Sequence, residues 1–280
     1  MNETFYDILP SGVRLVHRQS DSPVAYVGIM VRAGTRDESE RLNGMAHYIE
    51  HCVFKGTCSR TARQIIGQIE GIGGEINAYT TKEETTFYAA VPVEHFTHTL
   101  RLIADMVLHP TFPKKETDKE VGVILDEIES YNDSPSELIY DDFENLIFAG
   151  HPLGKPILGT KKTLRRISAS PAVPTEWMKQ QYRPDKMVVF VQGNLPFTRV
   201  QHAVAACMAE LESSSASDCL APTKLTSQVQ SLSPLPDMPH EAMFRKHTHQ
   251  THVMLGGLAY PLGHARQLTM YLMNNILGGG

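Results

Sequence analysis

The run Leu42-Asn-Gly-Met-Ala-His-Tyr-Ile-Glu-His-Cys-Val-Phe-Lys-Gly-Thr-Cys58 leaves this chain few ways to fold. Wound as a helix, it sets Leu42, Met45, Ala46, Ile49 and Val53 on one apolar stripe, which a second layer must cover. His47 and His51 then project roughly 140–180° away from the stripe, at about 100° per residue. Being four apart, the two imidazoles point the same way and can each offer a nitrogen to one metal ion at roughly 2 Å. Glu50 projects beside them, poorly placed to share the ion but within reach of a water bound to it. Zinc lowers the pKa of such a water toward about 7, and a nearby carboxylate can take its proton during attack on a carbonyl. The simpler alternative is a pair of solvated histidines on an ordinary amphipathic helix. A His-x-x-acid-His run arises by chance in roughly one chain in fifteen of this composition, so the chemistry requires a third ligand from elsewhere.

Composition limits the classes of function. The 280 residues, 41% of them hydrophobic, suffice for a real core, in one large domain or, as expected here, two units. A net charge of −5 argues against a nucleic-acid surface, and Lys161-Lys162 and Arg165-Arg166 read as solvated helix faces. The four cysteines, Cys52, Cys58, Cys207 and Cys219, form no C-x-x-C pair, which fits a reducing compartment better than a disulfide framework. Cys52, about 100° round the helix from His51, reads as a packing residue. The segment Met1–Asp7 has no basic or apolar leader character, and no uncharged apolar run reaches the roughly 18 residues a membrane span needs. The expected location is the bacterial cytosol; a mitochondrial matrix protein stripped of its transit peptide would look the same.

Along the chain, short β-branched and aromatic runs at 4–9, 12–17 and 24–33 predict strands with an antiparallel opening. Helical spacing follows at 61–72, and strands at 75–80 and 85–91. Helices are expected at 93–108, 114–131 and 136–148, then a Gly- and Pro-rich loop at 150–160, short helices near 161–167 and 174–182, a strand at 186–192 and a helix at 197–211. The mixture is an α+β domain over residues 1–211. Residues 212–240, rich in Ser and Pro, read as a linker. Strands at 242–247 and 252–258 and a helix at 265–277 read as the opening of a second, apparently truncated unit over 241–280.

A catalytic zinc takes three protein ligands and leaves one position open. The acid-rich helix 114–131 is the natural source of the third. Around its stripe of Val121, Ile124, Leu125 and Ile128, Glu120 and Glu127 lie on one flank, Glu129 on the other and Asp126 behind. Periodicity alone does not choose between Glu127 and Glu129.

His47-Tyr-Ile-Glu50-His51, with Glu120 and Glu127 downstream, resembles the inverted zinc-peptidase signature of the pitrilysin, insulinase and mitochondrial processing peptidase superfamily. Further stretches resemble landmarks of that family in the same order: Leu42-Asn-Gly-Met-Ala-His, Phe54-Lys-Gly-Thr, Gly73-Gly-Glu-Ile-Asn-Ala-Tyr-Thr, Thr86-Phe-Tyr, Gly159-Thr and the run from Tyr182 to Asn194. The resemblance implies an antiparallel-rich mixed sheet with helices packed on it, the first half of a two-half clamshell metallopeptidase. It implies zinc on His47, His51 and Glu127, Glu50 as general base, and Glu120 as a carboxylate supporting the site. It also implies a peptide substrate added as a strand along residues 76–80, touching Asn77 and Ala78; Glu84, nearby, reads as solvated. The expected activity is therefore zinc-dependent endopeptidase action on oligopeptides or unfolded segments, in a homodimer or a heterodimer with a related subunit. The alternative is a non-catalytic subunit of such an assembly. The segment expected beyond Gly280 would carry an Arg and a Tyr reaching the active site, and a fragment of a longer protein is the favoured reading.

Overall fold

The computed structural model describes residues 3–214, 241–245 and 250–278. Six strands form one mixed sheet: β1 (Thr4–Ile8), β2 (Arg14–Gln19), β3 (Val24–Val31), β4 (Glu75–Thr80), β5 (Thr85–Pro92) and β6 (Met187–Gly193). Their spatial order is β1-β2-β6-β3-β5-β4. All neighbours are antiparallel except β2 and β6, which run parallel with Leu15 opposite Val189 and His17 opposite Val191. Strand alternation fixes which side becomes core: Ala25, Val27, Ile29 and Val31 of β3 are buried, while Val24 and Tyr26 remain exposed.

Helices α1 (Met45–Cys52), α2 (Ala62–Glu70), α3 (Phe96–Leu108), α4 (Lys114–Asn132), α5 (Pro135–Ile147), α6 (Lys161–Ile167), α7 (Ala172–Gln181) and α8 (Phe197–Ser214) complete this unit. Phe96, Leu100, Ile103 and Val107 line the buried side of α3, which packs on β3 and β5 and against α8. A reciprocal cap starts α2: Thr61 Oγ1 accepts the Gln64 amide, and the Gln64 carboxamide accepts the Thr61 amide at 2.9 Å. Each strand and helix expected before residue 211 is present, with ends shifted by a few residues. The one substantial trimming is at residues 42–58, where α1 covers only Met45–Cys52 and continues as a 3-10 turn, Val53–Lys55.

The later part corrects the sequence reading. Neither 241–245 nor 250–258 forms a strand, whereas α9 (Gln267–Leu277) does form where a helix was expected. A helix satisfies its backbone within itself, but a strand needs a neighbour; Met243, Phe244, Val253 and Leu255 are all exposed, without the packing a ladder brings. The expected linker at 212–240 lies almost wholly outside the described residues.

Candidate metal centre

Helix α1 is short and buried nearly all round. Met45, Ala46, Ile49 and Val53 of the predicted stripe are fully inaccessible, and Tyr48 and Cys52 are buried as well. Gly44, at φ +91°, makes the sharp left-handed entry that keeps Leu42 and Asn43 out of the helix. The polar side does not face solvent as a plain amphipathic helix would, because α4 packs across it. His47 is consequently only 6% exposed, which disposes of the solvated-histidine alternative for that residue.

This packing brings side chains of α1 and α4 together. His47 Nε2 lies 3.6 Å and His51 Nε2 3.7 Å from Glu127 Oε2. The ligand atoms of these three residues all fall within 4.8 Å of one another. Bonds of about 2.1 Å in a tetrahedral site put neighbouring ligand atoms about 3.4 Å apart, so the donor set fits zinc in both chemistry and spacing. Glu129, which periodicity left open, is exposed, and so is Asp126. Burial, and then the charge of His51, pushes the His47 imidazole down to about 3, so it stays neutral and available as a donor. Its Nδ1 is buried with no hydrogen-bond partner among the described residues. Burial raises the Glu127 carboxyl above the ordinary range, partly offset by His51.

Glu120 stands behind the histidines. Its Oε2 lies 3.1 Å from His51 Nδ1, and its Oε1 is 2.6 Å from Lys55 Nζ. A carboxylate at Nδ1 favours the tautomer with the proton there, which leaves the Nε2 lone pair pointing toward Glu127.

Glu50 is half-buried on the same helix, and Thr80, at the end of β4, donates its hydroxyl to Glu50 Oε2. Burial raises the Glu50 carboxyl, with the Thr80 bond opposing the shift. β4 is the terminal strand of the sheet, beside α1. Asn77 is exposed and Ala78 half-buried on that strand, and Asn77 Oδ1 accepts the Ala78 amide at 2.8 Å. Glu84 lies in the turn between β4 and β5, its amide donating to Thr81 Oγ1. Lys55 and Thr80 were absent from the sequence-derived site. Both sit inside stretches singled out for their resemblance, but their contacts join residues 65 and 30 positions apart, where no spacing rule operates.

Comparison with known proteins gives the family. A family model described as insulinase, peptidase family M16, matches residues 14–161, and one described as the peptidase M16 inactive domain matches residues 171–280. An uncharacterized zinc protease of Bacillus subtilis, YmxG, is 34% identical over 271 residues, covering 96% of this chain and 62% of its own length. The probable mitochondrial-processing peptidase subunit beta of Arabidopsis thaliana is 33% identical over 212 residues, covering 75% of this chain and 40% of its own. The chain thus spans about three fifths or less of the length of these relatives. In fold, it is similar to a protease from Helicobacter pylori with a TM-score of 0.72 at 20% identity, over 81% of this chain and 52% of that one.

Proposed function

The chain belongs to the insulinase family of peptidases, family M16, and on that premise we propose that it is a zinc metalloendopeptidase in which His47, His51 and Glu127 hold the metal and Glu50 is the general base. The observation that carries this reading is the approach of two imidazole Nε2 atoms to one carboxylate oxygen, at 3.6 and 3.7 Å, with Glu50 on the same helix turn. All four residues fall within the match to the insulinase model rather than in the stretch matched by the inactive-domain model.

When bound, zinc supplies Lewis acidity toward a peptide carbonyl and acidifies water. Glu50 accepts the proton of the attacking water and returns it to the leaving amine; its burial-raised carboxyl suits it to both. Glu120 holds His51 in the productive tautomer. The β4 edge takes the substrate as an added strand, with Asn77 and Ala78 in contact; a peptide carbonyl would replace the Asn77 side chain at the Ala78 amide. Residues 1–211 form the peptidase domain, 212–240 a linker and 241–280 the start of a second domain. A homodimer or a heterodimer with a related subunit completes the enclosure, a reading supported by the subunit name of the mitochondrial relative. The proposed location is the bacterial cytosol, with the mitochondrial matrix as the alternative. Among the described residues, no helix is long and apolar enough to cross a membrane.

The test is zinc content per chain, followed by cleavage of a quenched fluorescent peptide. Expected is one zinc, lost in His51→Ala and weakened in Glu127→Gln, while Glu50→Gln keeps the metal and loses turnover. Continued cleavage by Glu50→Gln would remove Glu50 from the mechanism. Failure of the folded wild-type chain to take up added zinc would favour a non-catalytic subunit.

A further inference from the structure

Helix α1 has only eight residues, and its N-cap, Gly44, has no side chain with which to satisfy the first-turn amides. That task falls to Glu38, which is 4% exposed. Glu38 Oε1 accepts the Ala46 amide at 2.7 Å; its Oε2 accepts the Gly44 amide at 2.8 Å and the Asn43 carboxamide N–H at 3.0 Å. Burial pushes the Glu38 carboxyl up to about 7, against the pull of the Ala46, Asn43 and Gly44 donors. A carboxylate is therefore held where ionisation is unfavourable, at the positive end of a helix dipole that compensates only in part.

What this carboxylate fixes is a position. Asn43 Nδ2 also donates to the Pro156 carbonyl at 2.9 Å, and Lys155 Nζ donates to the backbone carbonyl of Glu38, so cap and loop form one assembly. His47 follows Ala46 directly, and Glu50 and His51 complete the set within one further turn. In so short a helix, a shift or rotation of the first turn passes straight to those three side chains.

We propose that Glu38 is the positioning residue of α1: its buried carboxylate sets the start and rotation of the helix, and through them the aim of His47, Glu50 and His51. The proposal rests on the zinc reading above for its consequence, though not for its geometry. Among the described residues no hydrogen bond or ion pair joins Glu38 to His47 or Glu50, so its role is exerted through the Gly44 and Ala46 amides at the start of α1 and the Asn43 side chain.

The test uses the full chain with Glu38→Gln, which preserves shape but loses one acceptor oxygen, and Glu38→Ala; Val204→Ala, in the distant core of α8, serves as a control for plain destabilisation. Zinc affinity is read by competition with a chromophoric chelator, and site geometry by the visible absorption of the cobalt-substituted protein. In the metal-free protein, amide exchange across Ala46–His51 and the imidazole chemical shifts of His47 and His51 report the helix directly. Expected is an affinity loss of about tenfold or more in Glu38→Gln, within the range for groups that orient metal ligands. An altered cobalt spectrum and faster α1 exchange should accompany it, with Val204→Ala leaving all three unchanged. A folded Glu38→Gln chain with wild-type affinity, spectrum and exchange overturns the proposal, whatever Glu38→Ala does. If the wild-type chain binds no metal, the zinc reading falls and the metal-free arm decides: unchanged exchange and imidazole shifts in Glu38→Gln refute the positioning role, and changed ones sustain it.

Discussion

Replacing Gly159 by Ala tests how tightly the 150–160 loop grips the start of α1. Gly159 has φ +73°, and a Cβ added there would lie 2.4 Å from the Asn43 carbonyl oxygen and 2.8 Å from Gly44 Cα. Both atoms are backbone, so no rotamer change relieves the contact. Gly150 has the same φ, but a Cβ added there meets nothing within 4 Å. The two substitutions therefore share the backbone term, about 1–2 kcal/mol for a left-handed L-residue, and differ by the contact. Overpacking against unyielding neighbours adds about 1–3 kcal/mol. Gly159→Ala is expected to lose about 2–5 kcal/mol and Gly150→Ala about 1–2, against a typical total of about 5–15. Urea denaturation of the metal-free chains measures both, and zinc competition shows whether strain reaches the site, as expected for Gly159→Ala alone. Equal losses in the two variants would refute the close approach of the loop to Asn43 and Gly44.

Glu120→Gln should weaken zinc binding about 10–100-fold, read by chelator competition, because a carboxamide holds His51 Nδ1 less firmly; unchanged affinity would exclude that support. The depressed pKa of His47 predicts acid sensitivity of the metal-free protein. The unfolded imidazole protonates near 6.5 and the folded one only near 3, so stability present at neutral pH is lost as pH falls between those values, by up to about 5 kcal/mol. Urea titrations at pH 7 and pH 4 should show that loss, reduced in His47→Gln. Asp105 is raised by burial, but the donors His109, Thr57, Ser59 and Arg60 outweigh this and hold it at about 2. Its stabilisation is thus present above about 3.8 and lost as pH falls through 2; Asp105→Asn should cost about 2–4 kcal/mol at pH 7 in thermal or urea melts.

Much of the first unit was legible because its signals are local. Period-two runs gave the strands, and the i, i+4 histidines with Glu50 marked the candidate site. Glu127 was a different case: it and Glu129 flank the same stripe of α4, and only the packing of α4 on α1 puts one near the histidines and leaves the other in solvent. Lys55 and Thr80 lie in stretches that resemble family landmarks, but their contacts, like those of Glu38, follow from no spacing, since each acts across a loop or between elements. Of the strands expected at 242–247 and 252–258, the described residues 242–245 and 252–258 form none, for the opposite reason. Their β-branched and aromatic residues describe a surface that suits a sheet, and a sheet must supply the neighbour.

The insertion of β6 between β2 and β3 has a consequence in time. Until that strand emerges, the β1–β2 hairpin and the β3–β5–β4 set are separate islands, with β2 and β3 unpaired on the sides that later meet β6. Ribosomal synthesis at about 5–20 residues per second holds them apart for roughly 8–35 s after β2 is made. The three candidate ligands, all made before β6, can meet on the second island while the first still waits. A nascent chain stalled short of Met187 should therefore expose the β2 and β3 edges, in addition to the outer edges of β1 and β4, to chaperones and to other chains, and emergence of the strand through Gly193 should close β2 and β3 at once.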